Sequence, residues 1–310
     1  MQFTLRQIEL FVAVCDAGSI SGAAQREHIA QSAVSTAIQN LEAVLGVALF
    51  VRNHAVGVHP TPAARDLLNQ ARLLLATATE IETFGATRAT GVSGNVPIGF
   101  LVTIAPILMA PLIRTFELAH PGARLVCQEG DQEQLVSWLR IGEISLAVTY
   151  DISVPADLAF HPVARIPPRV LVARDHPLAN DHSVTTADLI EQPLVLLDLP
   201  GSSEYFLSLF TSDGLQPRIA YRTRNIDVVR SLVAQGLGYS IVNLHAIGLF
   251  PETAALASIP LFGCRHVLSL GTLTVADQRL TAAVQAAKTH VADWVTRSDY
   301  SQAGNDSGES

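Results

Sequence analysis

A run of small, uncharged side chains that form hydrogen bonds follows one face of a predicted helix near the N-terminus. In the segment AQSAVSTAIQNLE, residues 30–42, apolar residues recur at the spacing of a buried helical stripe. The opposite stripe carries Ser32, Ser35, Thr36 and Gln39. A helix face in water normally carries Lys, Glu and Arg, whereas hydroxyl and amide groups can bond to base edges in the major groove of DNA. The pattern favours a DNA-reading face; a face exposed only to water, or side chains bonded to the local backbone, is the alternative.

The predicted DNA contacts divide between bases and phosphates. The amides of Gln31 and Gln39 fit adenine, and the methyl group of Thr36 fits that of thymine. Phosphates would be contacted by helix N-termini and by Arg52, with His54 assisting. The full predicted set is Gln31, Ser32, Ser35, Thr36, Gln39, Arg52 and His54.

Two helices before this segment are predicted to position it. Apolar residues at helical spacing predict a first helix from Leu5 to about Ala17, and Ser19 is a good N-cap for a second helix that ends near His28. Two short helices joined by a tight turn are typical of a helix-turn-helix. The alternating segment 47–62, which ends in prolines, predicts a two-stranded wing. A winged helix-turn-helix domain is therefore expected over residues 1–60.

A long helix follows the wing. Thr61 is predicted to cap it, and it runs to about Phe84 with a heptad stripe, formed by Leu67, Ala71, Leu74, Ala78 and Ile81. We expect this helix to join two subunits as a dimerising linker; packing against its own domain is the alternative. The Gly/Ser/Thr-rich segment 85–95 predicts a hinge, so the linker region is assigned to residues 61–92.

The rest of the chain alternates between strand and helix patterns. This βαβα order indicates an α/β fold with a parallel sheet covered by helices, and a second similar unit begins near residue 167. We expect an effector-binding domain over 93–297, with lobe I formed by 93–163 and 266–297 and lobe II by 164–265. The polar tail 298–310 is expected to be disordered.

Four junctions between strands and helices in this region carry polar residues that could meet a ligand between the lobes. They are Thr103, Asp131, the pair Ser202 and Ser203, and Asn225. Backbone N–H groups at helix N-termini favour an anion, often a carboxylate. Helix capping is the alternative for these residues, and Asp131 followed by Gln134 has the spacing of a capping box.

The chain closely resembles the LysR-type transcriptional regulators from Leu5 to about Trp294. The segment from LRQIELF to ALFVR follows that family's winged helix-turn-helix, and AHPGARL, ARDHPLA and VRSLVAQGLGYSIV follow in the order of its effector domain. Two departures are that Ala30-Gln31-Ser32 replaces the usual Ser-Gln-Pro, and that Thr36 stands where the family often has Arg.

The resemblance implies an intracellular DNA-binding homodimer or homotetramer with a two-lobed effector domain like that of periplasmic binding proteins. It implies promoter DNA and a small-molecule effector, here expected to be a small carboxylate, as partners, with a cytoplasmic location. It also places Thr103, the Ser202–Ser203 pair and Asn225 where family members contact effectors. Tyr150 is expected near the crossover between lobes, and apolar walls are expected from Phe100, Tyr205 and Phe206. The predicted ligand-binding set is Thr103, Asp131, Tyr150, Ser202, Ser203, Tyr205 and Asn225.

Composition limits the other classes of protein. The 310 residues are 49% hydrophobic and 15% charged, which excludes a disordered chain. A net charge of −8 and a single lysine, Lys288, give no basic surface overall. From Met1 to Arg65, four cations are balanced by four anions, namely Arg6, Arg26, Arg52 and Arg65 against Glu9, Asp16, Glu27 and Glu42. The longest apolar run, 101–113, is too short and too rich in proline to span a membrane.

No enzyme is predicted. Sequence motifs of serine hydrolases, zinc proteases and P-loop NTPases are absent, and no cofactor or metal is expected. A solute-binding module without DNA activity would explain 93–297 but not the N-terminal helices. A thiol-based redox regulator of the same family remains an alternative, although Cys15, Cys127 and Cys264 are isolated and have the pattern of reduced, buried thiols.

Overall fold

A computed structural model of the chain describes residues 2–53, 57–82, 92–244 and 251–298. His54, most of the predicted hinge and all but the first residue of the predicted tail lie outside these ranges. The backbone of Arg52 lies within these ranges, but its side chain does not belong to the described part of the structure.

The N-terminal part is a three-helix unit with a two-stranded wing. Its elements are α1 Leu5–Ala17, α2 Ile20–Arg26, α3 Gln31–Leu45, β1 Phe50–Asn53 and β2 Gly57–Pro60. The two strands pair antiparallel, with Arg52 opposite Val58. This order is the winged helix-turn-helix predicted from the sequence.

Local capping explains where these helices begin and end. Thr4 and Gln7 form a capping box at the start of α1, and Gly18 ends that helix in the left-handed region at φ +63°. The Ser19 hydroxyl accepts a hydrogen bond of 3.0 Å from the Gly22 N–H group at the start of α2. These caps define the tight turn at Gly18 and Ser19 between α1 and α2.

The side chain of Glu42 connects the wing to α3. Glu42, near the end of α3, accepts hydrogen bonds from the backbone N–H groups of Leu49 at 2.7 Å and Phe50 at 3.2 Å. The small core beneath contains the fully buried residues Phe11, Val14, Val34 and Leu41. The apolar stripe of α3 is therefore buried, and its polar stripe is turned away from the core.

The linker helix α4, Pro62–Glu82, has two apolar faces. Thr61 caps it as predicted, because its hydroxyl accepts a bond of 3.2 Å from the Ala64 N–H group. Ala64, Leu68 and Ala71 are buried in the core of the DNA-binding domain. Leu67 and Leu74 are only half-buried against that core, and Ile81 is 71% exposed. Of the predicted heptad stripe, Ala71 thus serves the helix's own domain, while Leu67, Leu74 and Ile81 remain at least partly accessible.

The first lobe of the C-terminal part is a five-stranded sheet in the order β4-β3-β5-β12-β6. The elements are β3 Ser93–Leu101, α5 Ala105–Ala119, β4 Gly122–Gly130, α6 Gln132–Arg140, β5 Leu146–Tyr150, β6 Leu158–Ile166, β12 Leu268–Val275 and α9 Ala282–Arg297. Strands β3, β4 and β5 are parallel, as expected from the βαβα order. Strand β12 is antiparallel to β5 and β6, so the sheet is mixed rather than wholly parallel.

The second lobe contains the middle of this region. Its elements are β7 Arg169–Ala173, β8 Pro193–Leu197, α7 Ser202–Thr211, β9 Arg218–Thr223, α8 Ile226–Ala234, β10 Ser240–Val242 and β11 Leu256–Pro260. Strands β10, β7 and β11 form a three-stranded sheet, and β8 pairs with β9 in a second sheet. A β-bridge between Leu194 of β8 and Tyr239, just before β10, connects the two sheets. The chain passes between lobes after β6 and again before β12, so the two crossings lie side by side. A shared core of buried residues runs through both lobes.

Among the helices of the described ranges, none combines the length and the apolar character needed to cross a bilayer. The apolar run at 101–113 is instead part of β3 and α5, where Leu108 and Leu112 are fully buried in the lobe I core.

Candidate functional site

The polar face of α3 is accessible. Gln31, Ser32, Thr36 and Gln39 are exposed, and Ser35 is half-buried. The face borders a shallow groove between α3 and the start of α1, lined by Thr4, Gln7, Ser32, Ala33, Thr36, Ala37 and Asn40. Asn40, Thr4 and Gln7 were not among the predicted DNA contacts. Asn40 follows Thr36 by one helical turn, so the spacing could have indicated it, whereas the position of α1 required the fold.

Two arginines of the N-terminal domain lie close to carboxylates. Arg6 donates to Glu9 and to Glu27, each at 2.9 Å, and these carboxylates raise its pKa. Arg26 lies 3.8 Å from Asp16. Two of the four cations of residues 1–65 are thus close to carboxylates, and the exposed polar side chains Gln31, Ser32, Thr36 and Gln39 of α3 are uncharged.

A small cavity lies where the two lobes meet. Its wall is formed by Thr103, Tyr150, Ile152, Leu197, Ser202, Phe206, Ile226, Val242, Asn243, Leu244 and Leu268. Its volume is about 20 Å³, compared with roughly 10–15 Å³ that one buried water molecule requires. The lobes are therefore closed on each other, and a larger molecule could enter only after they separate.

The cavity includes four of the residues singled out in the sequence. Thr103, Tyr150 and Ser202 contribute polar groups and Phe206 an apolar wall. Asn243 is a polar lining residue that the sequence did not indicate; it is buried, and its amide donates to the Ile166 carbonyl at 2.9 Å. No local pattern marks Asn243, because it reaches the cavity only through the position of β10 beside β7 in the folded lobe.

Asp131 and Asn225 cap helices and do not line the cavity. Asp131 accepts from the Gln134 N–H group at 3.0 Å in a capping box, and Asn225 accepts from the Asp227 N–H group at 2.8 Å. The second oxygen of Asp131 accepts a 3.0 Å bond from Arg224 in the other lobe. Arg224 already supplies a positive charge to this carboxylate. Asp131 therefore gives no reason to expect a cationic group on a ligand.

The remaining predicted residues are buried close to the cleft. Ser203 donates to the Leu199 carbonyl at 3.3 Å in the first turn of α7. The hydroxyl of Tyr205 donates to the carbonyl of His266 at 3.3 Å, and burial raises the pKa of Tyr205 to about 12. Phe100 is fully buried in the common core rather than in the cavity wall.

Hydrogen bonds join the start of α6 to β5 and to the segment after β5, beside the cavity. The buried Gln132 donates to the Ile152 carbonyl at 2.9 Å and accepts from the Thr149 hydroxyl at 2.6 Å. Burial also raises the pKa of Tyr150 well above its ordinary value, although a hydrogen bond to the Leu244 backbone opposes the shift. These neutral groups keep the cleft polar in places without placing a charge inside it.

Two family models match the chain in the places where the structure has its two parts. The model described as "Bacterial regulatory helix-turn-helix protein, lysR family" matches residues 5–65, and "LysR substrate binding domain" matches residues 89–296. This chain belongs to the LysR family. It is a DNA-binding transcriptional regulator with an effector-binding domain.

Related regulators and solved structures of LysR proteins are similar to this chain over most of its length. The RuBisCO operon transcriptional regulator of Allochromatium vinosum is 30% identical over 85% of this chain and 87% of its own. The crystal structure of HinK, a LysR family regulator of Pseudomonas aeruginosa, is 29% identical, covers 94% of this chain and 98% of its own, and has a TM-score of 0.61. Full-length CbnR in complex with its target DNA is 25% identical, covers 93% of this chain and 98% of its own, and has a TM-score of 0.57.

Within the described ranges, no cluster of His, Cys, Asp and Glu has an arrangement that could hold a metal ion. The LysR regulators to which the chain is similar bind DNA and small-molecule effectors and form oligomers.

Proposed function

We propose that this LysR-family regulator reads a promoter with the uncharged face of α3 and responds to a small carboxylate held between the two lobes. It acts in the cytoplasm as a homodimer or homotetramer joined through α4, and it has no catalytic activity of its own. The observation that carries the proposal is the accessibility of Thr36 and Gln39 on a helix whose apolar stripe is buried.

The DNA-reading part of the proposal depends on side-chain chemistry. The exposed amide of Gln39 can form two hydrogen bonds to one adenine, and the methyl group of Thr36 fits against a thymine. The wing follows α3 directly, and Glu42 ties the two together. A helix set in the major groove would therefore bring the wing, including Arg52 and His54, to the neighbouring phosphates.

The first experiment maps genomic DNA bound by the protein and then measures affinity for the recovered site. The variant Q39A should weaken specific binding by about 1–3 kcal/mol, the value of a good bidentate base contact. Gln70 is exposed on α4, away from the reading face, so Q70A is the matched control. Equal affinities for Q39A, Q70A and the wild type would remove Gln39 from the interface.

The effector part rests on the cavity wall. Thr103, Ser202 and Asn243 place neutral hydrogen-bonding groups among the apolar side chains of Phe206 and its neighbours. The N-terminus of α7 begins at Ser202 without a side-chain cap, so its dipole favours a negative group. A small molecule with an apolar body and one carboxylate satisfies both features, and its entry requires the lobes to open.

The second experiment uses a panel of small carboxylic acids and the corresponding amides, with the thermal midpoint as readout. One or more acids should raise the midpoint in a concentration-dependent manner, since a ligand that binds only the folded state stabilises it. The variant S202V should abolish this rise, whereas S208V, on an exposed position of the same helix, should retain it. Amides that stabilise the protein as strongly as acids would contradict the carboxylate assignment.

A further inference from the structure

One arginine connects the two halves of the regulator within a single chain. Arg72, on α4, donates through one guanidinium nitrogen to Asp16 at the end of α1 and through the other, at 3.0 Å, to the backbone carbonyl of Ile141 in the effector domain. Asp16 belongs to the DNA-binding domain, and Ile141 follows α6 of lobe I. The Arg72 side chain thus links the linker helix that carries it to both the DNA-binding domain and the effector domain.

The contact around Arg72 is close. Gly142 adopts a left-handed conformation at φ +69°, and a Cβ atom there would lie 2.8 Å from the side-chain oxygen of Asn69 and 3.3 Å from its Cα. Ile141 packs against the apolar core of the DNA-binding domain. The turn after α6 therefore packs directly on the linker helix α4. Gly142 occupies a position in this turn where a side chain would collide with Asn69.

Beside this point the two halves are not tightly packed. A cleft of about 420 Å³ lies between α4 and the effector domain, bordered by Asn69, Arg72 and Ala76 on one side and by residues 93–95, 142–145, 278–281 and 283–284 on the other. A cleft of this size has room for several water molecules, so the two halves are not close-packed along it. The contacts of Arg72, Ile141 and Gly142 at its edge therefore help to set the orientation of the two halves.

The chemistry of arginine suits this position. The Arg72 side chain is only 18% exposed, and the Asp16 side chain 28%. A planar guanidinium can serve a carboxylate and a carbonyl at once in fixed directions, which a lysine ammonium does less well. Charge-assisted hydrogen bonds of low exposure are stronger than those at an open surface.

We propose that Arg72 is a positioning residue that docks the DNA-binding domain against the effector domain of the same subunit, and that loss of its bond to Ile141 frees the two halves to reorient. The docked arrangement is one state of the regulator. Any ligand or mutation that moves the turn at residues 141–142 would shift the equilibrium away from it.

The test follows hydrogen exchange in the full-length protein without DNA or effector, so its outcome is independent of the function proposed above. Two variants disrupt the contact differently: R72M removes both hydrogen bonds with little change in volume, and N69W places a bulky group against Gly142. Both should accelerate exchange in peptides covering residues 138–145 on the order of tenfold, the effect of losing one charge-assisted bond. Arg65 is exposed on the same helix, so R65M is the control.

Small-angle scattering on the same samples should show a larger radius of gyration for R72M and N69W than for R65M, while circular dichroism confirms intact folding. Unchanged exchange at 138–145 in both variants would overturn the proposal. Acceleration confined to the end of α1 would also overturn it, because Arg72 would then support only the DNA-binding domain.

Discussion

Asp131 combines a contact within its own segment and a contact with a distant residue. Asp131 has the spacing of a capping box, and the structure confirms that box with Gln134. The same carboxylate also meets Arg224, which lies 93 positions away in the other lobe. The cap is a local property, whereas the ion pair is a contact between the two lobes.

The three cysteines are also best considered singly. Burial raises the pKa of Cys15 to about 12 and those of Cys127 and Cys264 to about 11, each from 9.0. Since the thiolate is the reactive form, we expect iodoacetamide labelling at pH 7.5 at least about tenfold slower than for a free cysteine peptide. Unfolding in guanidinium should restore fast labelling. A thiol that reacts quickly in the folded protein and disappears after peroxide treatment would instead support a redox sensor.

At the scale of elements, helices α5 and α9 are connected by a hydrogen bond that involves a histidine. The Thr115 hydroxyl lies 2.8 Å from the Nε2 atom of His290, and burial lowers the pKa of His290 below its ordinary 6.5. The unfolded chain therefore takes up this proton at a higher pH than the folded chain does, so the free energy of unfolding should fall as pH drops below about 6.5. Thermal midpoints between pH 7.5 and 5 should fall less steeply for H290Q than for the wild type. The same change at exposed His182 should leave the wild-type slope, and equal slopes for all three proteins would refute the prediction.

The linker helix is the element on which self-association is expected to depend. Its partly accessible stripe of Leu67, Leu74 and Ile81 recurs every seven residues, with Leu67 and Leu74 half-buried beside its own core and Ile81 exposed. We expect I81E to weaken association at least about tenfold in sedimentation equilibrium, because a carboxylate would be buried in an apolar seam. F262E changes a similarly exposed apolar residue outside α4 and should leave the mass distribution unchanged. Wild-type association by I81E would place the interface elsewhere.

The charge of the whole molecule bears on how it holds DNA. The net charge is −8, and Arg6 is engaged by two glutamates in the domain that would contact phosphates. Affinity falls with salt in proportion to the phosphates neutralised, so we expect a logarithmic slope of about −3 or shallower. The double variant E9Q/E27Q frees Arg6 and should steepen the slope by roughly one phosphate. A wild-type slope near that of about ten phosphates would show that many more cations contact DNA.

Much of this protein follows from the sequence alone, because the signals involved are local. Ser19 and Thr61 cap helices through backbone N–H groups three residues away, and the apolar stripe of α3 repeats within fifteen residues. Such patterns determined the helix-turn-helix, the wing, the α/β alternation of the effector region and the uncharged face of α3. The family resemblance added the order of the domains.

Tertiary structure alone decided the features that join distant parts of the chain. The antiparallel return of β12, the placement of Asn243 in the cleft, the pairing of Asp131 with Arg224 and the junction at Arg72 all depend on where separate segments meet. Local spacing carries no information about such meetings, since each partner is compatible with many folds. The closed cleft likewise results from the packing of two lobes, a property that belongs to no single segment.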